Sequence, residues 1–230
     1  MNDIEMRESS EFENYNALKK CVLADFPYFL EWDDTILTQY FSEIYKVVIT
    51  EHSKIRNPYY SENGIGLIRL NFLDHYVILT YRFANCLYKN NLLDVAEAIY
   101  YSMRVRGSID LYFTTEIGSY FIPTHSLGAV VDSHAKYGCL LKLYNGVHIG
   151  PQDIIGKPPS EWEHPVIGDY VTLLANSHVY GRSVIGNNVI VSSGTVIIND
   201  EIPDNCIVFG TSPNLYFMPL RNKNSSLLAL

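Results

Sequence analysis

Residues 167–197 read IGDYVT, LLANSH, VYGRSV, IGNNVI, VSSGTV and a closing Ile, so an aliphatic side chain heads every hexad: Ile167, Leu173, Val179, Ile185, Val191 and Ile197. Small or polar residues fill the slots between. A strand alternates with period two and an α-helix returns every 3.6 residues, so neither keeps one residue class on a six-residue beat over such a length. Hexads of this kind mark a parallel β-helix whose coils stack on one another. An antiparallel meander would need a reversal signal at each strand end, and the stretch has no such alternation.

Upstream the beat is weaker. Counting by six from Ile117 gives Pro123, Ala129, Ala135, Leu141 and Val147, still apolar but smaller. It breaks between Gly150 and His164, where PQDIIGKPPSEWE, rich in proline and glutamate, reads as a loop thrown out of one coil. Loops on a rigid scaffold are common carriers of function.

The chain has 230 residues, 47% of them hydrophobic, which is enough for one large domain or two small ones. A net charge of -8 argues against a nucleic-acid or membrane-surface binder, which needs a basic face. Cys21, Cys86, Cys139 and Cys206 lie far apart with no paired spacing, as small core residues in a reducing compartment do. The acidic start MNDIEMRE has no signal-peptide core, and no apolar run is long enough to span a bilayer. These features place the expected protein in the cytoplasm.

Residues 1–106 have a different texture. Ile36, Leu37, Tyr40, Phe41, Ile44, Val47 and Val48 recur at helical spacing, with Asp33 or Asp34 placed to cap the N-terminus. Further apolar stretches run from Ile65 to Tyr88 and from Leu92 to Val105, separated from the first by Asn57-Pro58 and ended by Gly107. The expected organisation is an α+β chain: a helical domain over 1–106, a parallel β-helix over 107–215 with an extruded loop at 151–163, and a tail over 216–230. The many tyrosines in the helices are expected to pack at subunit contacts.

Chemistry is sought among the solenoid's histidines and acids. Asp110 opens the first coil, His125 lies in FIPTHSLG, and His164 ends the loop in EWEHP. A coil takes roughly 18 residues, so Asp110 and His125 can stand close on adjacent coils. A carboxylate beside an imidazole fixes its tautomer and leaves the other nitrogen free to take a proton from a hydroxyl.

The chain here resembles serine O-acetyltransferase, a left-handed parallel β-helix enzyme of the hexapeptide acyltransferase superfamily. The resemblance covers roughly residues 55–215 and rests on the helical domain, Tyr81-Arg82, the Asp110 and His125 pair, THSLGAVV from Thr124, HPVIGD from His164, and the hexads closing on Ile202-Pro203 with Gly210. It implies that His125 is the general base, that Asp110 orients it, and that His164 completes the site from a neighbouring subunit of a homotrimer or a dimer of trimers. It also implies acetyl-CoA as the acetyl donor, with Ala175, Gly181, Ser193 and Gly210 against its pantetheine arm and adenine, and Arg182, Arg221 and Lys223 near its phosphates. The family's backbone oxyanion donor falls near Pro151, which has no N–H, and that role is left unassigned. Some left-handed β-helix proteins are zinc carbonic anhydrases, with two histidine ligands five residues apart. No two histidines here have that spacing, so no metal is expected, and His134, His148 and His178 are read as turn or interface residues.

Three positions depart from the family. Asn57 replaces an aspartate before proline, Thr124 an aspartate before the histidine base, and Glu163 an arginine before the second histidine. Arginine is the natural bidentate partner of an amino-acid carboxylate, which Glu163 would repel. With Trp162 as a stacking face, Asn57, Thr124 and Glu163 lead to the expectation of a carbohydrate acceptor, a surface polysaccharide or its precursor. The alternatives are a serine O-acetyltransferase of cysteine biosynthesis and a catalytically silent trimeric scaffold.

Overall fold

The computed structural model describes residues 3–152 and 158–220. The chain divides after Gly107 into two compact units. The first holds four helices, α1 (Asp3–Asp25), α2 (Asp34–Lys54), α3 (Leu73–Lys89) and α4 (Leu93–Gly107). Asp33 caps α2 by accepting a hydrogen bond from the Thr35 amide at 2.8 Å. The apolar stretch expected to run unbroken from Ile65 is divided. Ser61–Glu62 pairs antiparallel with Ile65–Gly66, and the turn between them is Asn63-Gly64, both left-handed. That dipeptide suits a two-residue hairpin. Gly66 is forced by packing: a Cβ there would meet the Ile49 carbonyl of α2. Tyr15, Tyr45, Tyr60, Tyr76 and Tyr81 are buried among these helices, so their bulk fills the unit's own core rather than a subunit contact. Among the described residues no helix is long and apolar enough to cross a membrane.

The second unit is a left-handed parallel β-helix, as the hexads predict. Its first face carries Ile122–Pro123, Lys142–Leu143, Thr172–Leu173 and Ile190–Val191, continued by Cys206–Thr211. The second face stacks Asp110–Leu111, Val130–Val131, His148–Gly150, His178–Tyr180 and Val196–Ile198. Lys136–Tyr137, Val166–Ile167, Val184–Ile185 and Glu201–Ile202 form the third. The six hexad heads are all 2% exposed or less. Each such burial contributes about 1.5–3 kcal/mol. A strand over Asn214–Pro219 folds back antiparallel on Cys206–Thr211 and runs on past residue 215.

Upstream the structure shifts the frame by two. Val131 and Ile149 align with Val179, and Leu143 aligns with Leu173. Ala129, Ala135, Leu141 and Val147 occupy a second buried position, the counterpart of Val171, Ser177, Val189 and Thr195 downstream. The cause is unequal coils. Leu173 pairs with Val191 eighteen residues on, but Leu143 pairs with Leu173 thirty residues on, and Leu111 pairs with Val131 twenty residues on. One coil therefore carries twelve extra residues, at the loop after Gly150, and the first carries two, in the turn between Pro123 and Val131.

Three corners join the three faces. At the corner before the first face, side chains staple successive coils: Asp169 accepts from the Cys139 amide, Asn187 from the Asp169 amide and Asp204 from the Asn187 amide. Tyr120, Leu140, Tyr170, Asn188 and Asn205 follow in left-handed backbone at that corner. Asparagine and aspartate tolerate such turns and satisfy their amides.

Candidate active site

The two coils with extra residues are the coils that carry the candidate catalytic histidines. His125 lies in the lengthened turn between the first and second faces, exposed, with φ 49°. That left-handed backbone is shared by corner residues throughout the solenoid, so it belongs to the turn and is no special strain. Asp110 begins the neighbouring strand, its amide donating to Ala129, four residues beyond His125. The register puts Asp110 beside Val130. Thr124, half-buried, directly precedes His125.

The same corner continues through Asn145-Gly146, Ala175-Asn176 and Ser193-Gly194, linked from coil to coil by hydrogen bonds from Gly146 to Leu127, Asn176 to Asn145 and Gly194 to Ala175. The candidate donor-binding residues Ala175 and Ser193 thus stack in line with His125. Gly181 stands at the next corner and Gly210 in the last strand of the first face. Both glycines also have a conformational reason, with φ of 65° and 111°. A Cβ at Gly181 would meet the Asn199 side chain, and one at Gly210 the Asn214 carbonyl. Arg182 is exposed, while Arg221 and Lys223 lie outside the described residues.

His164 occupies the corner between the second and third faces, where the loop rejoins the solenoid. The loop is anchored there by a bridge in which the Gln152 amide donates to the Glu163 carbonyl at 3.2 Å. Its neighbours Trp162 and Glu163 are half-buried and exposed respectively. His164 Nδ1 lies 2.6 Å from Asp132 Oδ2. Asp132 is 5% exposed at its side chain, and its Oδ1 accepts from the His134 amide at 3.0 Å. The His134 ring stands 5.1 Å from the His164 ring. Asp132 is a partner of the candidate residue His164 that sequence reasoning missed. The signal was available only through register: Lys136 pairs with Val166 thirty residues on, and the same offset carries His134 onto His164.

Asp132, His134 and His164 hold their ligand atoms within 4.8 Å of one another. At 2.6 Å, however, the Asp132 and His164 contact is a hydrogen bond with a proton between the atoms. Two donors each about 2.0–2.1 Å from a shared ion in tetrahedral geometry stand farther apart than this. Of the other histidines read as turn or interface residues, His148 and His178 are register partners on the second face. Tyr180 Oη lies 2.7 Å from His148 Nδ1. Burial first, and then the nearby His178, lower the pKa of His148.

Within one chain His125 and His164 stand at different corners, with the second face between them. Asn57, by contrast, belongs to the helical unit, where its side chain accepts from the Tyr59 amide at 3.0 Å.

Within this stacked solenoid, residues 164–199 match the family model described as bacterial transferase hexapeptide (six repeats). More particularly, the chain is serine acetyltransferase-like. It is 25% identical over 150 residues to the serine acetyltransferase of Synechococcus elongatus, covering 65% of this chain and 59% of that protein. Over 125 residues it is 26% identical to the serine acetyltransferase of Helicobacter pylori, covering 54% and 71%. The fold matches a solved serine acetyltransferase in complex with CoA at a TM-score of 0.60 and 16% identity, covering 79% of this chain and 74% of that one. The match thus spans under two thirds of the Synechococcus protein's length.

These relatives overturn the expectation of a carbohydrate acceptor and of a role in polysaccharide synthesis, because the proteins that the chain resembles are serine acetyltransferases. The charge count treated Glu163 as a group facing the acceptor on the strength of its sequence position alone. Glu163 is exposed, and a carboxylate in water is screened over about 8–10 Å. Its place beside His164 in the sequence does not aim it at an acceptor.

Proposed function

We propose that the protein transfers the acetyl group of acetyl-CoA to the hydroxyl of serine, with His125 as general base. The observation that carries this reading is the coincidence of two things: similarity to serine acetyltransferases, and the placement of His125 and His164 at the two points where the coils lengthen. In the proposed reaction His125 takes the hydroxyl proton as the oxygen attacks the thioester carbonyl. The C–S bond then breaks, and the sulfur of CoA leaves with a proton. Asp110 holds the imidazole, and Ala175 and Ser193, in line above it, offer a corner of small residues along which the donor's arm can lie. Holding both substrates in one cleft lowers the entropy cost of their meeting.

The same placement supports a homotrimer. Two corners of one solenoid face different ways, so a site using both His125 and His164 draws them from two copies related by closed rotation. Gly181, at the His164 corner, then faces the donor from the second copy.

The test is release of CoA thiol from acetyl-CoA by the purified full chain, with and without L-serine. Serine-dependent release, with O-acetylserine found by mass spectrometry, is the expected result. Background release that L-serine does not raise would overturn the reading.

A further inference from the structure

Apart from the proposed base His125, the structure holds a carboxylate–imidazole pair made by Asp132 and His164. We propose that Asp132 is the positioning residue that fixes His164 in one tautomer, with Nδ1 protonated and Nε2 left as an acceptor for an N–H or O–H donor on the substrate. The proposal rests on the reading of His164 as part of the transfer site.

The geometry carries it in three steps. An ionised carboxylate only accepts, so a 2.6 Å contact with Asp132 Oδ2 requires the proton on His164 Nδ1. Neutral imidazole has one donor and one acceptor, so Nε2 is then bare. No hydrogen bond uses His164 Nε2 among the described residues, and the side chain keeps 21% exposure, enough to meet a ligand.

Asp132 is itself held. Its Oδ1 is occupied by the His134 amide at 3.0 Å, and its backbone carbonyl accepts from the Tyr137 hydroxyl at 2.8 Å. Ser133 Oγ lies 3.2 Å from His134 Nδ1, which engages that ring nitrogen. Being 75% exposed at its side chain, His134 offers no equal constraint on His164. The carboxylate is therefore buried and already aimed, as a group that orients another needs to be. His125 sits at a different corner, so within one chain it does not touch this pair.

Asp132→Asn makes the sharpest test because it keeps the shape and reverses the hydrogen bonding. Its carbonyl stays on the His134 amide, which turns the NH2 toward His164 and moves the ring proton to Nε2. The full-length protein labelled with 15N-histidine, and assigned by comparison with His164→Gln, should show Nδ1–H in the native chain and Nε2–H in Asp132→Asn. Serine kcat/KM should fall about 100-fold or more, while the KM for acetyl-CoA stays within about threefold. Asp132→Ala, which leaves the tautomer free, should lose less than Asp132→Asn.

An unchanged His164 tautomer in folded Asp132→Asn, or native kcat/KM in that variant, would overturn the proposal. If the tautomer switches but His164→Gln turns over like the native chain, the positioning pair stands and the assignment of His164 to the transfer site fails.

Discussion

The corner through Cys139, Asp169, Asn187 and Asp204 and the corner that carries His125 use the same left-handed turn, yet they are built for different ends. At the first corner each Asp or Asn side chain accepts the amide of the coil before it, and its polar atoms are spent on stacking. At the second the coil gains two residues, and Gly128, Gly146 and Gly194 stand in left-handed backbone there. The His164 corner goes further, with twelve extra residues. The contrast suggests a division of tasks in a repeat fold: regular corners for stacking, irregular ones for the candidate site residues.

The largest effect should come from breaking the irregular side of that contrast. His125→Ala should lower turnover by about 100- to 10,000-fold, the usual loss for a positioned general base, with unchanged circular dichroism because the side chain is exposed. Unfolding and reassembling it with His164→Ala chains should restore roughly one quarter of native activity by random assortment in a symmetric ring. No recovery in confirmed mixed trimers would place both histidines of a site in one chain.

A histidine that is consumed by packing sharpens the comparison. His52 Nδ1 donates to the Leu67 carbonyl at 2.6 Å, and His75 Nδ1 accepts from the Arg69 amide at 3.0 Å. Burial pushes His52 down to about 4; burial, together with His52 and Arg69, pushes His75 down to about 3. The folded helical unit therefore keeps both rings neutral, while the unfolded chain protonates them near the ordinary value of 6.5. Their contribution is complete above that pH. It is lost as pH falls from there through about 4 and then about 3, at about 1.4 kcal/mol per group for each pH unit between its two pKa values. Urea unfolding of this unit at pH 7 and pH 4.5 should show a lower midpoint in acid. Equal midpoints would mean that the two rings are not held neutral.

The smallest effect belongs to the regular corner. Asp169→Ala removes one amide acceptor at an exposed turn and should cost about 0.5–1.5 kcal/mol, with serine turnover unchanged. A loss of turnover in a folded variant would show that stability and chemistry are not separated between corners.

Much of this was legible in the chain. Six aliphatic residues on a six-residue beat, with small or polar residues between them over a stretch longer than any single strand, mark a stacked coil. Helices α2, α3 and α4 followed from apolar spacing and Asp33 while α1 did not, and Asp110, His125 and His164 were singled out by their motifs as candidates. The hairpin at Asn63-Gly64 was also there to be read, but the apolar run around it masked the turn.

Register was not legible upstream of the loop, because a coil with two extra residues and one with twelve leave no mark on a count by six. Asp132 was hidden for the same reason: its partnership with His164 exists only when the thirty-residue coil closes. The acceptor was misread because three residue types were weighed above the similarity of the chain to serine acetyltransferases. By itself the sequence determined the periodic core and the helical segments α2 to α4, since these depend on residue type at fixed intervals along the chain, and its motifs singled out the candidate base. Only the tertiary structure decided which corner each histidine occupies and that Asp132 holds His164, since these depend on the lengths of coils that stacking brings together.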